Sequence, residues 1–114
     1  MSQIDISTIK TPPQCCADFC LIPMGIDSAS VSPFIAQVQT LLKASGLQYS
    51  MHANGTTVEG PWDEVMKVIG QAHGMLHDQG TVRVHTDIRV GSRTDKHETA
   101  RSKVASVEKI LSGQ

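Results

Sequence analysis

The sequence predicts an α+β fold: a four-stranded antiparallel sheet, two helices on one face of it, and a further helix at the C-terminal end. Three observations lead there. Short segments alternate apolar and polar residues with period two, two longer stretches between them repeat apolar residues at three and four, and Asn54-Gly55 joins two of the segments as a hairpin. Length sets the frame, because 114 residues make one domain. Residues 1–14 mix acid, base and hydroxyl side chains and end in Thr11-Pro12-Pro13, which reads as a flexible N-terminal arm ahead of a single domain over 15–114.

The elements follow in order. Residues 17–24 are a short apolar run bounded by Gly25, as a buried strand requires. Gly25 to Ser30 is a loop rich in capping residues. Val31, Phe34, Ile35, Val38, Leu41 and Leu42 then form one face of a helix that Ser45-Gly46 stops. Leu47, Tyr49, Met51 and Ala53 alternate with Gln48, Ser50 and His52 as a half-buried strand. Asn54-Gly55 predicts a type I′ turn, whose central residues both need positive φ, and Thr56 to Glu59 form the return strand. Gly60-Pro61 opens a second helix with proline at its first position. Its stripe is Trp62, Val65, Met66, Ile69, Ala72, His73 and Leu76, and Gly80 closes it. Residues 81–90 alternate again, and Asp95 with Glu98 predicts a capping box for a third helix whose buried face is Ala100, Val104, Val107 and Leu111. The order β-α-β-β-α-β followed by α is the split β-α-β arrangement of ferredoxin-like domains.

Composition narrows the function classes. Ten Lys and Arg against eleven Asp and Glu give a net charge of −1, without the excess of cations that a general nucleic-acid binder uses to displace phosphate counterions. No apolar run approaches the roughly 18 residues of a membrane helix, and the arm has neither the positive start nor the apolar run of a secretory signal. Neither a nucleic-acid nor a membrane partner is expected. Three cysteines crowded at 15, 16 and 20 make no disulfide framework, which points to the cytoplasm and to packing roles in the first strand. No second cluster exists to complete a metal site, and no Gly-rich phosphate loop is present, so no metal and no cofactor are expected.

Alternation also divides the sheet into two faces. Leu47, Tyr49, Met51, Val58, Val82, Val84, Ile88 and Val90 should meet the helices. Gln48, Ser50, His52, Thr57, Glu59, Arg83, His85, Asp87 and Arg89 should share the other face, while the first strand is apolar on both. That uncovered, mixed-charge face has three readings: a solvated surface, an interface between two stacked sheets with charges paired across a symmetry axis, or a polar pocket for a small ligand.

Three blocks carry a resemblance: Ile22-Pro23-Met24-Gly25-Ile26-Asp27-Ser28-Ala29-Ser30, Asn54-Gly55-Thr56-Thr57-Val58-Glu59-Gly60-Pro61-Trp62, and residues 83–96 from Arg83-Val84-His85 through Arg93-Thr94-Asp95-Lys96. In this order they resemble the thiamine-binding-protein family, most closely its fungal members, over roughly residues 17–111. The resemblance implies a ferredoxin-like subunit that dimerises through its sheets and pairs again into a homotetramer, a dimer of dimers. It also implies non-enzymatic binding of thiamine or its hydroxymethylpyrimidine half. Alternation places Glu59 and Asp87 to hydrogen-bond the pyrimidine edge, with Ser50, His52, Thr57 and Arg89 in support and Cys20 or Ile22 as an apolar wall. The alternative is a structural or regulatory assembly module with no small ligand.

Other constellations compete with blander uses. Asp27, Ser28 and Ser30 can hold an anion at the first helix's start, although capping alone explains them. Arg89, Arg93 and Lys96 can fix a phosphate or sulfate, or simply make surface ion pairs. His73 and His77 have a metal-binding spacing but lack the zincin glutamate, residue 74 being Gly. Gly70 and Gly74 suggest close packing on the second helix. Cys20 with His52 or His85 would be the pair for a cysteine-dependent enzyme, yet a thiol buried in a strand is quiet.

Overall fold

The computed structural model describes residues 3–26 and 31–113. In chain order the elements are β1 (Cys15–Met24), α1 (Ser32–Ser45), β2 (Gln48–His52), β3 (Gly55–Gly60), α2 (Trp62–Asp78), β4 (Arg83–Gly91) and α3 (Ala100–Ser112). The sheet order is β2-β3-β1-β4 with every neighbouring pair antiparallel, so the predicted ferredoxin-like topology is the one observed. The arm contains a 3₁₀ turn, Ile6–Thr8, capped by the Asp5 carboxylate, and the Pro12 carbonyl accepts the Trp62 N–H at 3.3 Å where α2 begins. The predicted capping and anion residues Asp27, Ser28 and Ser30 lie outside the described residues.

β1 sits inside the sheet and sets its two faces. Cys15, Ala17, Phe19 and Leu21 are buried against α1 and α2, together with Val38 and Leu42, Val58, and Val65, Val68, Ile69, Ala72 and Leu76. Each fully buried aliphatic side chain in this layer contributes about 1.5–3 kcal/mol of hydrophobic stabilisation. Pro23 is accommodated because β3 pairs with β1 only as far as Phe19, so at Pro23 the strand has a partner on the β4 side alone. On α2, His73 Nδ1 lies 2.7 Å from Thr86 Oγ1 and His77 Nδ1–H donates to the Thr81 carbonyl at 2.8 Å. Both imidazoles thus tie α2 to β4 and the turn before it.

Several local expectations are corrected. The hairpin forms, but its loop is Ala53-Asn54, with His52 paired to Gly55, and neither loop residue has positive φ, so the turn is not type I′. Gly55 is required for a different reason: a Cβ there would lie 2.8 Å from the Phe19 carbonyl oxygen. Gly46, at φ 78°, is the left-handed C-cap of α1 that Ser45-Gly46 predicted. Val82 precedes β4 and is exposed. Met51, Ile88 and Val90 lie on the helix side of edge strands beyond the reach of the two helices. Gly70 and Gly74 meet no close neighbour within the chain, since a Cβ at either would find nothing within 4 Å.

The segment into α3 departs most from expectation. Its capping box is Thr99 with Ser102, not Asp95 with Glu98. Those two carboxylates instead hold Arg93, Asp95 through Nε at 2.6 Å and also at NH2, Glu98 through NH1 at 2.8 Å. The apolar stripe of α3 is not buried: Val104, Val107 and Leu111 are 56–58 % exposed. Amphipathicity marks a face as apolar without saying what covers it.

Three substitutions test these surroundings. Gly70→Ala is expected to raise stability by up to about 1 kcal/mol, and Gly55→Ala to lower it, both read from denaturant unfolding. Loss of stability in Gly70→Ala would place an unseen backbone against that face of α2. The hydrogen bonds from Arg93 hold the Asp95 carboxyl down at about 2, from an ordinary 3.8. A depressed carboxyl favours the folded state above the unfolded value and loses that contribution as pH falls through about 2. In Arg93→Ala, an NMR titration should find Asp95 returned toward 3.8; a carboxyl still near 2 would contradict the pairing.

Candidate ligand cleft on the open sheet face

Register alone assembles the face that α1 and α2 leave bare. Residues directly opposite on neighbouring strands share a face, so one row crosses all four strands as Ser50, Thr57, Asp18 and Arg89. The row beside it is Gln48, Glu59, Cys16 and Gly91. Toward the other end, Cys20 lies opposite Asp87, Ile22 opposite His85, and Met24 opposite Arg83. The predicted division of β2, β3 and β4 between the two faces is therefore the observed one.

Asp18 organises the middle of this face. Its Oδ2 accepts from Arg89 NH2 at 2.5 Å, and its Oδ1 lies 3.4 Å from His52 Nε2, which is itself 3.3 Å from Thr57 Oγ1. A carboxylate only 29 % exposed needs such partners, because desolvation of an unpaired charge costs several kcal/mol. The second acid, Asp87, is occupied by His85, with Nε2 and Oδ1 2.7 Å apart.

A cleft of about 810 Å³ opens over β2 and β3. The sheet lines it with Gln48, Ser50, Thr57 and Glu59, and α3 closes the far side with Arg101, Val104, Ala105 and Glu108. Two carboxylates, one guanidinium, two hydroxyls and a small apolar wall converge here, a set suited to a polar ligand carrying amine donors and positive charge. The structure thus gathers Ser50, Thr57 and Glu59 at the cleft and sets His52 next to Thr57. Arg89 stands two strands beyond β3, on β4, linked through Asp18 of β1, and Asp87 lies on the same edge strand with His85, outside the cleft lining.

Arg93 lies apart from these, in a small cavity of about 160 Å³ with Cys16, Lys96 and Lys103, its guanidinium already engaged by Asp95 and Glu98. Burial pushes the Cys16 thiol up despite the opposing charge of Lys103, and burial likewise raises Cys15. Cys20 makes no hydrogen bond to either histidine among the described residues. No cluster of three or more His, Cys, Asp or Glu among them could hold a metal, and no helix there is long and apolar enough to cross a membrane.

No local sequence pattern singles out Asp18, Arg101 or Glu108. The pairing phase of β1 would have exposed Asp18, but a strand apolar on both faces hides its phase. Arg101 and Glu108 border the cleft only because the first amide of α3 is tied to Glu59 on the open face.

Comparison with known proteins agrees with this architecture. The sequence profile of a family described as thiamine-binding protein matches residues 17–108. The UPF0045 protein ECM15 of Eremothecium gossypii is 50% identical over 95 residues, covering 83% of this chain and 90% of that one. The UPF0045 protein sll0230 of Synechocystis is 41% identical over 94 residues, 82% of this chain and 77% of its own. Among solved structures, the hypothetical protein MJ1052 of Methanocaldococcus jannaschii superposes with a TM-score of 0.78 at 28% identity, covering 86% of this chain and 99% of its own. A candidate thiamine biosynthesis/salvage protein from Thermotoga maritima shares the fold, with a TM-score of 0.71 at 19% identity over 83% of this chain and 99% of its own. With a profile match over most of its length and a relative identical at half the aligned positions, the chain belongs to the thiamine-binding protein family.

Proposed function

We propose that this protein binds thiamine, or its hydroxymethylpyrimidine half, in the cleft between the open sheet face and α3, without turning it over. The observation that supports the reading most is the polar lining of that cleft in a chain of this family: the acceptors Glu59 and Glu108 with Ser50 and Thr57 around a small apolar wall. Thiamine joins an aminopyrimidine, with ring acceptors and an exocyclic amine donor, to a cationic thiazolium. Glu59 accepts from the exocyclic amine, Ser50 and Thr57 serve the ring nitrogens, and Glu108 balances the thiazolium charge. His52 and Arg89 act one step removed, by fixing Thr57 and Asp18. The protein works in the cytoplasm as a homo-oligomer, a dimer of dimers in which the apolar stripe of α3 and the Ile22–Met24 end of the open face meet a second copy.

A second reading, an assembly module with no small ligand, draws on that same exposed stripe. Calorimetric titration with thiamine, hydroxymethylpyrimidine and thiamine phosphate separates the two. Binding at micromolar affinity, about 8 kcal/mol, is expected for the binder. Glu59→Ala should weaken it by about tenfold or more while the oligomer stays intact on a sizing column. Absence of heat with all three compounds, together with an oligomer split by Arg83→Glu, would favour the assembly module instead.

A further inference from the structure

Glu59 has a second attachment, which ligand recognition does not use. Its Oε2 accepts the backbone N–H of Ala100 at 2.7 Å, across 41 positions of sequence. Ala100 is the first residue of α3, so this N–H is one of the four that a helix start leaves without an intrahelical partner. The Thr99–Ser102 capping box satisfies its own two N–H groups and leaves this one free for Glu59. α3 has no acidic residue in its first turn, so Glu59 brings from β3 the negative charge that a helix N-terminus favours. Little else fastens the helix. None of its residues is buried, and among the described residues this is the one hydrogen bond joining α3 to the sheet. The other carboxylate oxygen, Oε1, accepts nothing from a described residue, and the side chain lines the cleft.

We propose that Glu59 is a shared latch: Oε2 positions α3 while Oε1 receives the ligand's amine, so that occupation of the cleft and seating of α3 stabilise each other. Only the ligand half rests on the thiamine reading. A carboxylate fixed at one oxygen is pre-oriented at the other, and linkage makes the effect reciprocal. Arg101, Val104 and Glu108, carried on the latched helix, then form a wall whose position depends on β3.

Ala100→Pro tests the latch. It removes the N–H that Glu59 Oε2 accepts and sets the ring Cδ where that oxygen sat, so the carboxylate is released from α3, while the capping box stays because proline is favoured at the first helical position. Thr99, at φ −102° and ψ 163°, already has the extended conformation required before proline. Hydrogen exchange on the full chain should run about tenfold faster across residues 101–112 in both Ala100→Pro and Glu59→Ala, with the sheet unchanged. Unaltered α3 exchange in both variants would overturn the latch. Added thiamine should slow α3 exchange in the wild type at least threefold, and Ala100→Pro should bind thiamine several-fold more weakly although Glu59 is present. Thiamine binding with unchanged α3 exchange would overturn the coupling and spare the binding reading. Failure of the wild type to bind thiamine would remove that reading and the coupling together, while the two variants still decide the latch.

Discussion

A four-stranded sheet with both crossover helices on one side must leave its other side without cover, and the rest of this molecule is arranged around that constraint. One face of β1 supplies Cys15, Ala17, Phe19 and Leu21 to the core, and the hydrophobic stabilisation of the domain is concentrated in that layer. The opposite face of the same strand carries Cys16, Asp18 and Cys20, only half-buried. A charge on an inner strand with water on one side alone needs partners from its neighbours, and Asp18 finds them on β2 and β4. The polar network of the open face therefore follows from the topology.

α3 stands outside that layer. None of its residues is buried, and its stripe of Val104, Val107 and Leu111 stays exposed in the single chain. Its first amide is tied to Glu59 on the open face, and its side chains form one wall of the cleft over β2 and β3. In a family named for binding thiamine, the helix that makes the cleft and the carboxylate that would read the ligand are joined by one hydrogen bond.

Much of this was legible in the sequence, and the parts that were not share a physical cause. Period-two alternation is local, so the faces of β2, β3 and β4 could be read directly, and with them Ser50, Thr57 and Glu59. Asp18 could not be placed, because β1 is apolar on both sides and its phase is fixed only by pairing with β3 and β4. Asn54-Gly55 marked the hairpin correctly but for the wrong reason, since Gly55 answers to the Phe19 carbonyl of another strand. Asp95 and Glu98 have capping-box spacing, yet a guanidinium two residues before Asp95 competes for both. Arg101 and Glu108 depend on a contact spanning 41 positions, which no local pattern encodes.

A ligand held on the open face beside α3 would mark that face first. Amide chemical-shift mapping of isotope-labelled protein during addition of thiamine tests this directly. Saturable shifts are expected at Ser50, Thr57, Glu59 and residues 100–108, with α1 and the buried face of α2 undisturbed. Shifts confined to the helix layer, or to the β4 edge around His85 and Asp87, would contradict it.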